Sequence, residues 1–263
     1  MKILYFTATG NNLYIAKRLG GEHYSIPKML NSGELELEDE QIGIVFPVHW
    51  LAVPKLVEEF LDRVKLKSNY IFAVLSYGMV AGAAAGQLVK IGKRNGINFR
   101  YVDTILMVDN YLPSFDMEQQ KRSEPKKNIE GKLNQIVNNI GQQKNFIVSV
   151  PLFSCWLTTF MKIFVYLPRD KKMRAKQLAF DGLFLIDPTC NGCGVCARVC
   201  PVDNIIINSG KPEYLGKCIF CLACTHGYPS NVIRLKGERS KARYTNKNVT
   251  LKELVGGKKQ SVY

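Results

Sequence analysis

The feature that most limits what this chain can be is its run of cysteines. Seven of the eight fall between residues 190 and 224, and they are spaced in threes: Cys190, Cys193 and Cys196, then Cys218, Cys221 and Cys224. Cys200 stands directly before Pro201. The pattern recurs after 28 residues, so that position 228 answers position 200 and Pro229 answers Pro201. Each half is followed by an apolar strand-like run, 204–207 and 231–235. A stretch that repeats in this way is two copies of one supersecondary unit. The N-terminus, "MKILYF", lacks a basic leader, a long apolar run and a small-residue cleavage site. Without an export signal, regular thiol spacing points to metal rather than disulfides, and the expected compartment is the cytoplasm.

The first half reads "CNGCGVCARVCP", which is C-x2-C-x2-C-x3-C-P in full. Such spacing suits an iron–sulfur cube. Three thiolates on one tight loop reach three irons, while the fourth cysteine opens a helix and serves the other cluster. Gly192, Gly194 and Ala197 are small enough to let the backbone approach inorganic sulfur. Zinc is the competing chemistry, but zinc loops usually pair two CxxC units and need neither the third cysteine nor the proline. Crossed wiring gives one [4Fe–4S] cluster on Cys200, Cys218, Cys221 and Cys224. Cys190, Cys193 and Cys196 are left with a second cluster, [4Fe–4S] or [3Fe–4S], whose fourth ligand falls to position 228.

That position is Tyr228. The second cluster then has four fates: a three-iron cluster; a cube whose fourth iron holds water, a small ligand or the Tyr228 oxygen; recruitment of Cys155 or His226; or no assembly. A phenolate ligand requires loss of a proton whose usual pKa is about 10. The expectation is that Tyr228 fills the space beside a cluster lacking its corner.

Residues 1–110 alternate strand-like and helix-like runs. Strands are expected at 2–6, in "HYSI", and at 42–48, 70–76 and 99–108; helices at 13–19, 54–63 and 123–141. "ELELEDE" reads as a solvated acidic loop. The alternation implies a parallel sheet covered on both faces. Three loops leave the C-terminal ends of its strands, where open α/β sheets bind ligands. "TATGNN" (Thr7, Ala8, Thr9, Gly10, Asn11, Asn12) opens a helix, and its amides and hydroxyls suit a phosphate. No lysine follows as in GxxxxGK[ST], which disfavours a nucleotide triphosphatase. "PVHW" (Pro47, Val48, His49, Trp50) and "SYGMVAG" (opening on Ser76, Tyr77, Gly78) present Trp50 and Tyr77, flat faces suited to stacking an isoalloxazine ring. His49 is the one candidate for a proton donor there, and no other catalytic residue is identified.

On "TATGNN", "FPVHW", "SYGMVAG" and the two cysteine loops, the first 145 residues resemble the flavodoxin family. The whole chain is similar to flavodoxin–ferredoxin fusion proteins of anaerobic bacteria and archaea. The resemblance implies an α/β fold, a doubly wound parallel five-stranded sheet in order 2-1-3-4-5, followed by a small α+β two-cluster ferredoxin domain. It also implies FMN held without a covalent bond, phosphate on the first loop and ring between the other two. Two residues depart from the pattern: Asn12, where flavodoxins usually carry Thr or Ser, and Tyr228.

The expected domains are 1–145, a connector at 146–180, and 181–263. The connector holds 22 mostly apolar residues that run into Arg169, Lys171, Lys172, Arg174 and Lys176. Lys162 and Pro151 argue against a membrane span, so a packed linker helix is expected first, an interfacial one with a basic flank second and a true span last. The tail "NVTLKELVGG" carries a capping box, Thr250 with Glu253. A formal charge of +14 suits an acidic redox partner or an anionic membrane face over 146–176. No recognition motif supports nucleic acid. Three functions are carried forward: an electron-transfer flavo-iron–sulfur protein; an FMN-dependent reductase fed by its own ferredoxin domain, with His49 as acid and Trp50, Met79 and Tyr111 as a lid; or a non-catalytic redox sensor or complex subunit.

Overall fold

The computed structural model describes residues 1–166, 180–227 and 231–256. Contacts divide the chain into two compact units. The first comprises Met1–Thr7, Asn11–Val108 and Glu124–Phe160; the second comprises Ala8–Gly10, Asp109–Ser123 and the described residues from Met161 onward.

The first unit is built on strands β1 (Lys2–Tyr5), β2 (Glu22–Ser25), β4 (Gln41–Pro47), β6 (Tyr70–Tyr77), β7 (Phe99–Leu106) and β8 (Phe146–Ile147), with a short pair, β3 (Glu36–Glu38) and β5 (Lys65–Lys67), beside them. The six main strands are parallel in the order β2-β1-β4-β6-β7-β8. Without the two-residue β8 this is the expected 2-1-3-4-5. β4 and β6 read "QIGIVFP" and "YIFAVLSY", near-continuous apolar runs buried on both faces, as central parallel strands require. Helices α1 (Asn11–Leu19) and α6 (Ile129–Gly141) touch one another, as do α3 (Lys55–Arg63) and α4 (Ala84–Arg94), while α2 (Ile26–Ser32) packs on α3. α6 buries Ile129, Leu133, Ile136 and Ile140, a stripe at helical spacing. Beneath it the buried Asp103 of β7 is neutralised by Lys132 at 2.8 Å and accepts the Tyr101 hydroxyl at 2.9 Å.

Two expectations are corrected. "ELELEDE" is not a loop throughout: Glu36–Glu38 pairs in parallel with Lys65–Lys67. Leu37 is buried, and Glu36 and Glu38 meet Lys65 and Lys67 at 2.6 and 2.7 Å. The E-L-E alternation is a period of two, and the charges are matched across the pair. The helix expected over 123–141 is broken. α5 (Met117–Ser123) ends there, Glu124–Lys127 forms a 3-10 turn, and Asn128 has φ +47° before α6 begins. Pro125, with no N–H and a ring that crowds the preceding turn, accounts for the break.

The connector forms α7 (Leu152–Phe160), continued as a wider turn over Met161–Tyr166. Thr158 Oγ1 accepts the Ala83 N–H at 3.1 Å, while Leu152, Phe153 and Trp156 are 87, 67 and 59% exposed. Among the described residues no helix is long and apolar enough to cross a membrane. The basic run at 169–176 lies outside the described residues.

In the second unit β9 (Phe184–Ile186) pairs antiparallel with β12 (Ile233–Leu235), and β10 (Ile205–Asn208) with β11 (Lys211–Tyr214). Each half of the repeat supplies strand, cysteine loop, short helix and strand, the helices being Val195–Val199 and Ala223–His226. The first strand of one half pairs with the last of the other. Buried Glu238 and Arg243, 2.9 Å apart, close the C-terminal side, and the Thr250–Glu253 capping box starts the helix Leu251–Gly256.

Gly43 lies mid-strand where an added Cβ would come within 2.5 Å of the Phe72 ring and 2.8 Å of Ile3. Gly43→Ala is expected to cost about 1–3 kcal/mol, seen as a lower denaturant midpoint with unchanged slope.

Candidate iron–sulfur and flavin sites

The two cysteine loops share a backbone that their sequences do not advertise. Gly192 and Gly194 have φ of +68° and +74°, and the residues that answer them in the second loop, Phe220 and Leu222, have +55° and +62°. Bulky residues in this left-handed region cost roughly 1–3 kcal/mol each and persist only where the surroundings impose them. Phe220 is held by aromatic contacts with Phe180 (4.7 Å), Tyr111 (6.0 Å) and Phe184 (6.2 Å). Leu222 is buried.

The helix Val195–Val199 delivers Cys200 to the second loop: Cys200, Cys218, Cys221 and Cys224 line one cavity, walled by Phe184, Ile205, Tyr214 and Leu222. Backbone N–H groups of Asn204 and Phe220 donate to the sulfurs of Cys200 and Cys218, each at 3.3 Å. Burial raises the thiol pKa of Cys218 and Cys224 to about 12, and that of Cys221 well above the usual value. Such thiols are poor nucleophiles; they ionise only where a metal's charge replaces the proton. The donor set, the apolar walls and the buried Tyr214 hydroxyl, which has no hydrogen-bond partner, fit a cluster of iron and sulfide. Among the described residues no three His, Cys, Asp or Glu side chains are grouped to hold a single metal ion.

In the first loop Cys190 is half-buried, Cys193 exposed and Cys196 buried, and burial raises the Cys196 pKa to about 11. Asp187 forms the turn into it by accepting the Thr189 N–H and hydroxyl, and Lys211 Nζ bonds the carbonyls of Pro188 and Cys190 at 2.8 Å. Tyr228 lies outside the described residues. His226, which could serve as its substitute only through a loop rearrangement, is engaged elsewhere here. His226 Nε2 lies 2.8 Å from the Asn110 carbonyl, and Nδ1 accepts the Tyr244 N–H at 3.1 Å. Both ring nitrogens are spent, and burial lowers its pKa to about 4. Cys155 is exposed on α7 in the first unit.

Sequence reasoning missed Asp181 and Asn204. Asn204 donates to Asp181 at 2.7 Å and accepts the Lys217 N–H, and Asp181 accepts the Gly216 N–H at 2.6 Å. Together they stitch the segment after Cys200 to the entry of the second loop. Asn204 follows the C-P motif by three residues, but no spacing rule marks Asp181.

In the first unit, the residues after β1, β4 and β6 leave one edge of the sheet. Val48 N–H bonds Ser76 O at 2.7 Å, and Met107 N–H bonds Tyr77 O at 2.8 Å, so the strands stay in register up to those loops. His49 and Ala52 bond each other around Trp50 and Leu51, which have φ of +52° and +64°. This strained two-residue turn leaves Trp50 36% exposed. Gly82, whose Cβ would strike Leu51 at 2.6 Å, packs the third loop on that turn. Asn12, 1% exposed at the start of α1, keeps a buried Oδ1 without a partner, the kind of orphan a bound group satisfies. These loops fit a flat cofactor with a polar tail. Ala8–Gly10 belong to the second unit, where Thr9 O accepts the Asn246 N–H at 2.8 Å. His49, half-buried at its surface but densely surrounded and edge-on to Phe6, has its pKa lowered by burial to about 4. It is a neutral imidazole at pH 7.

His226→Ala would strand a carbonyl and an amide and should cost about 2–5 kcal/mol by denaturant unfolding. His49 has a folded pKa below its unfolded value of about 6.5. Its contribution to stability is complete above that pH and lost as pH falls toward about 4. Replacement by Gln should flatten that slope between pH 7 and 5.

Comparison with protein families matches a 4Fe–4S dicluster domain to residues 183–243. Comparison with curated proteins finds no match. Among solved structures, the chain is similar to a candidate flavoprotein from Bacteroides uniformis, at 16% identity over 46% of this chain and 94% of that one (TM-score 0.32). It is similar to two-electron reduced Megasphaera elsdenii flavodoxin at 16% identity over 39% and 83% (TM-score 0.31). It is also similar to the Trp repressor binding protein of Bacillus subtilis at 14% identity over 40% and 83% (TM-score 0.30). The fold assignment rests on the strand order itself. The chain carries a parallel α/β sheet in the flavodoxin-like order, and after it a stretch, residues 183–243, that matches a 4Fe–4S dicluster domain.

Proposed function

We propose that this chain is an electron-transfer flavo-iron–sulfur protein. One [4Fe–4S] cluster is held by Cys200, Cys218, Cys221 and Cys224, a second cluster by Cys190, Cys193 and Cys196, and FMN by the loops after β1, β4 and β6. Bound, the clusters supply one-electron steps and the flavin both one- and two-electron steps. The chain's own part is to bind, orient and tune. Amide donors to Cys200 and Cys218 stabilise anionic sulfur. The apolar walls keep water away, and Trp50 and Tyr77 offer flat faces. The neutral His49 adds no charge beside the ring. The observation that carries this reading is the presence of Cys200 in the cavity of the other loop.

Protein purified without oxygen should carry about seven or eight irons and one flavin per chain. Cys200→Ala should remove about four irons together with the signal of a reduced cube, and leave flavin content unchanged. Loss instead of the first loop's cluster, or full iron retention, would overturn the assignment; absence of flavin would remove FMN from it.

Docking follows the charge. The exposed Leu152, Phe153 and Trp156, followed in sequence by five basic residues between 169 and 176, support association with an anionic membrane face. The protein should sediment with phosphatidylglycerol vesicles at low salt and not with phosphatidylcholine vesicles, and Trp156→Ser should abolish it. Failure to bind either vesicle would leave acidic redox proteins as the partners.

A further inference from the structure

We propose that the Tyr214 hydroxyl donates a hydrogen bond to the sulfur at Cys224, and thereby raises the reduction potential of the cluster held with Cys200, Cys218 and Cys221. This role rests on the iron–sulfur reading above and adds a positioning residue to it.

Tyr214 ends β11, four residues before Cys218. Its ring cannot swing freely: it stacks on Phe184 with centroids 5.1 Å apart and planes 7° from parallel. Phe184 is itself buried and fixed by the pairing of β9 with β12. The hydroxyl is therefore carried to a set place, and that place is the wall of the cavity that the four thiols line. It lies beside Cys224 without closing a hydrogen bond of ordinary geometry, and no other protein group takes it. A buried hydroxyl with no partner is costly, and its persistence in a packed wall calls for an acceptor. A phenol remains an O–H donor at neutral pH, its usual pKa being about 10. Sulfur that has gained negative charge is the acceptor the cavity offers.

The donor matters for potential because reduction adds a negative charge that the hydrogen bond stabilises more in the reduced state than in the oxidised one. An apolar wall strengthens the effect. Cys200 and Cys218 already receive backbone amides that no side-chain substitution removes. Thr225 Oγ1 stands 3.9 Å from the Cys224 sulfur, at the outer reach for such a bond. Phe184, stacked on Tyr214, has no hydroxyl, so the two aromatic walls are not equivalent.

Tyr214→Phe removes one oxygen atom and keeps the stacked ring. The test is an EPR-monitored redox titration of the full chain, with iron counted on the same samples. The expected result is unchanged iron and a lower midpoint, raising the ratio of oxidised to reduced cluster at fixed potential about tenfold, which is 59 mV for one electron. Thr225→Val, titrated in parallel, should shift it less. An unchanged midpoint with full iron overturns the proposal, as does loss of the cluster from Tyr214→Phe, which would make the hydroxyl structural. Wild-type protein without iron would instead defeat the iron–sulfur reading, and the donor role with it.

Discussion

The arrangement on which the second unit depends is the crossing of its two halves. A five-residue helix carries Cys200 out of its own loop and into the wall built by Cys218, Cys221 and Cys224. The sheets repeat the exchange, since the outer strands β9 and β12 pair with each other and the inner strands with each other. Neither half can complete a wall or a sheet alone. Asp181 and Asn204 then tie the chain after Cys200 to the residues before Cys218. Buried neutral thiols exchange protons for metal, so binding and folding of this unit draw on the same free energy.

Strain marks each of the two units. Phe220 and Leu222 hold conformations that glycine supplies in the first loop, and Trp50 and Leu51 do the same in the turn after β4. In each case packing holds the residue: an aromatic cluster around Phe220, and Gly82 against Leu51. Substituting glycine would relieve the backbone but give up the side chain that closes the wall or projects the ring.

What the residues disclosed and what they withheld follow a physical line. Central strands were legible because burial on both faces leaves continuous apolar runs, and the Thr250–Glu253 box because capping uses fixed spacing. The cysteine spacing pairs Cys200 with the second loop; Cys200 lines a cavity with Cys218, Cys221 and Cys224. The β3–β5 pair was hidden because its charges looked like solvated surface until Lys65 and Lys67 were set opposite. Nothing local to His226 shows that Asn110, 116 residues away, and Tyr244, 18 away, engage both its nitrogens. Asp181 was invisible for the same reason: its partners are brought by the fold, not by periodicity.

The main sheet has two ends, and neither resembles its centre. At one end β2 reads "EHYS", four polar or amphipathic residues; at the other, β8 is only two residues long. An unpaired strand edge is a template on which another chain can grow, and long, flat, apolar edges are the dangerous ones. Here the four apolar central strands are shielded between a hydrophilic border and a truncated one. A domain built around so much β-prone sequence can thus be made at high concentration with little to recruit a neighbour into its sheet.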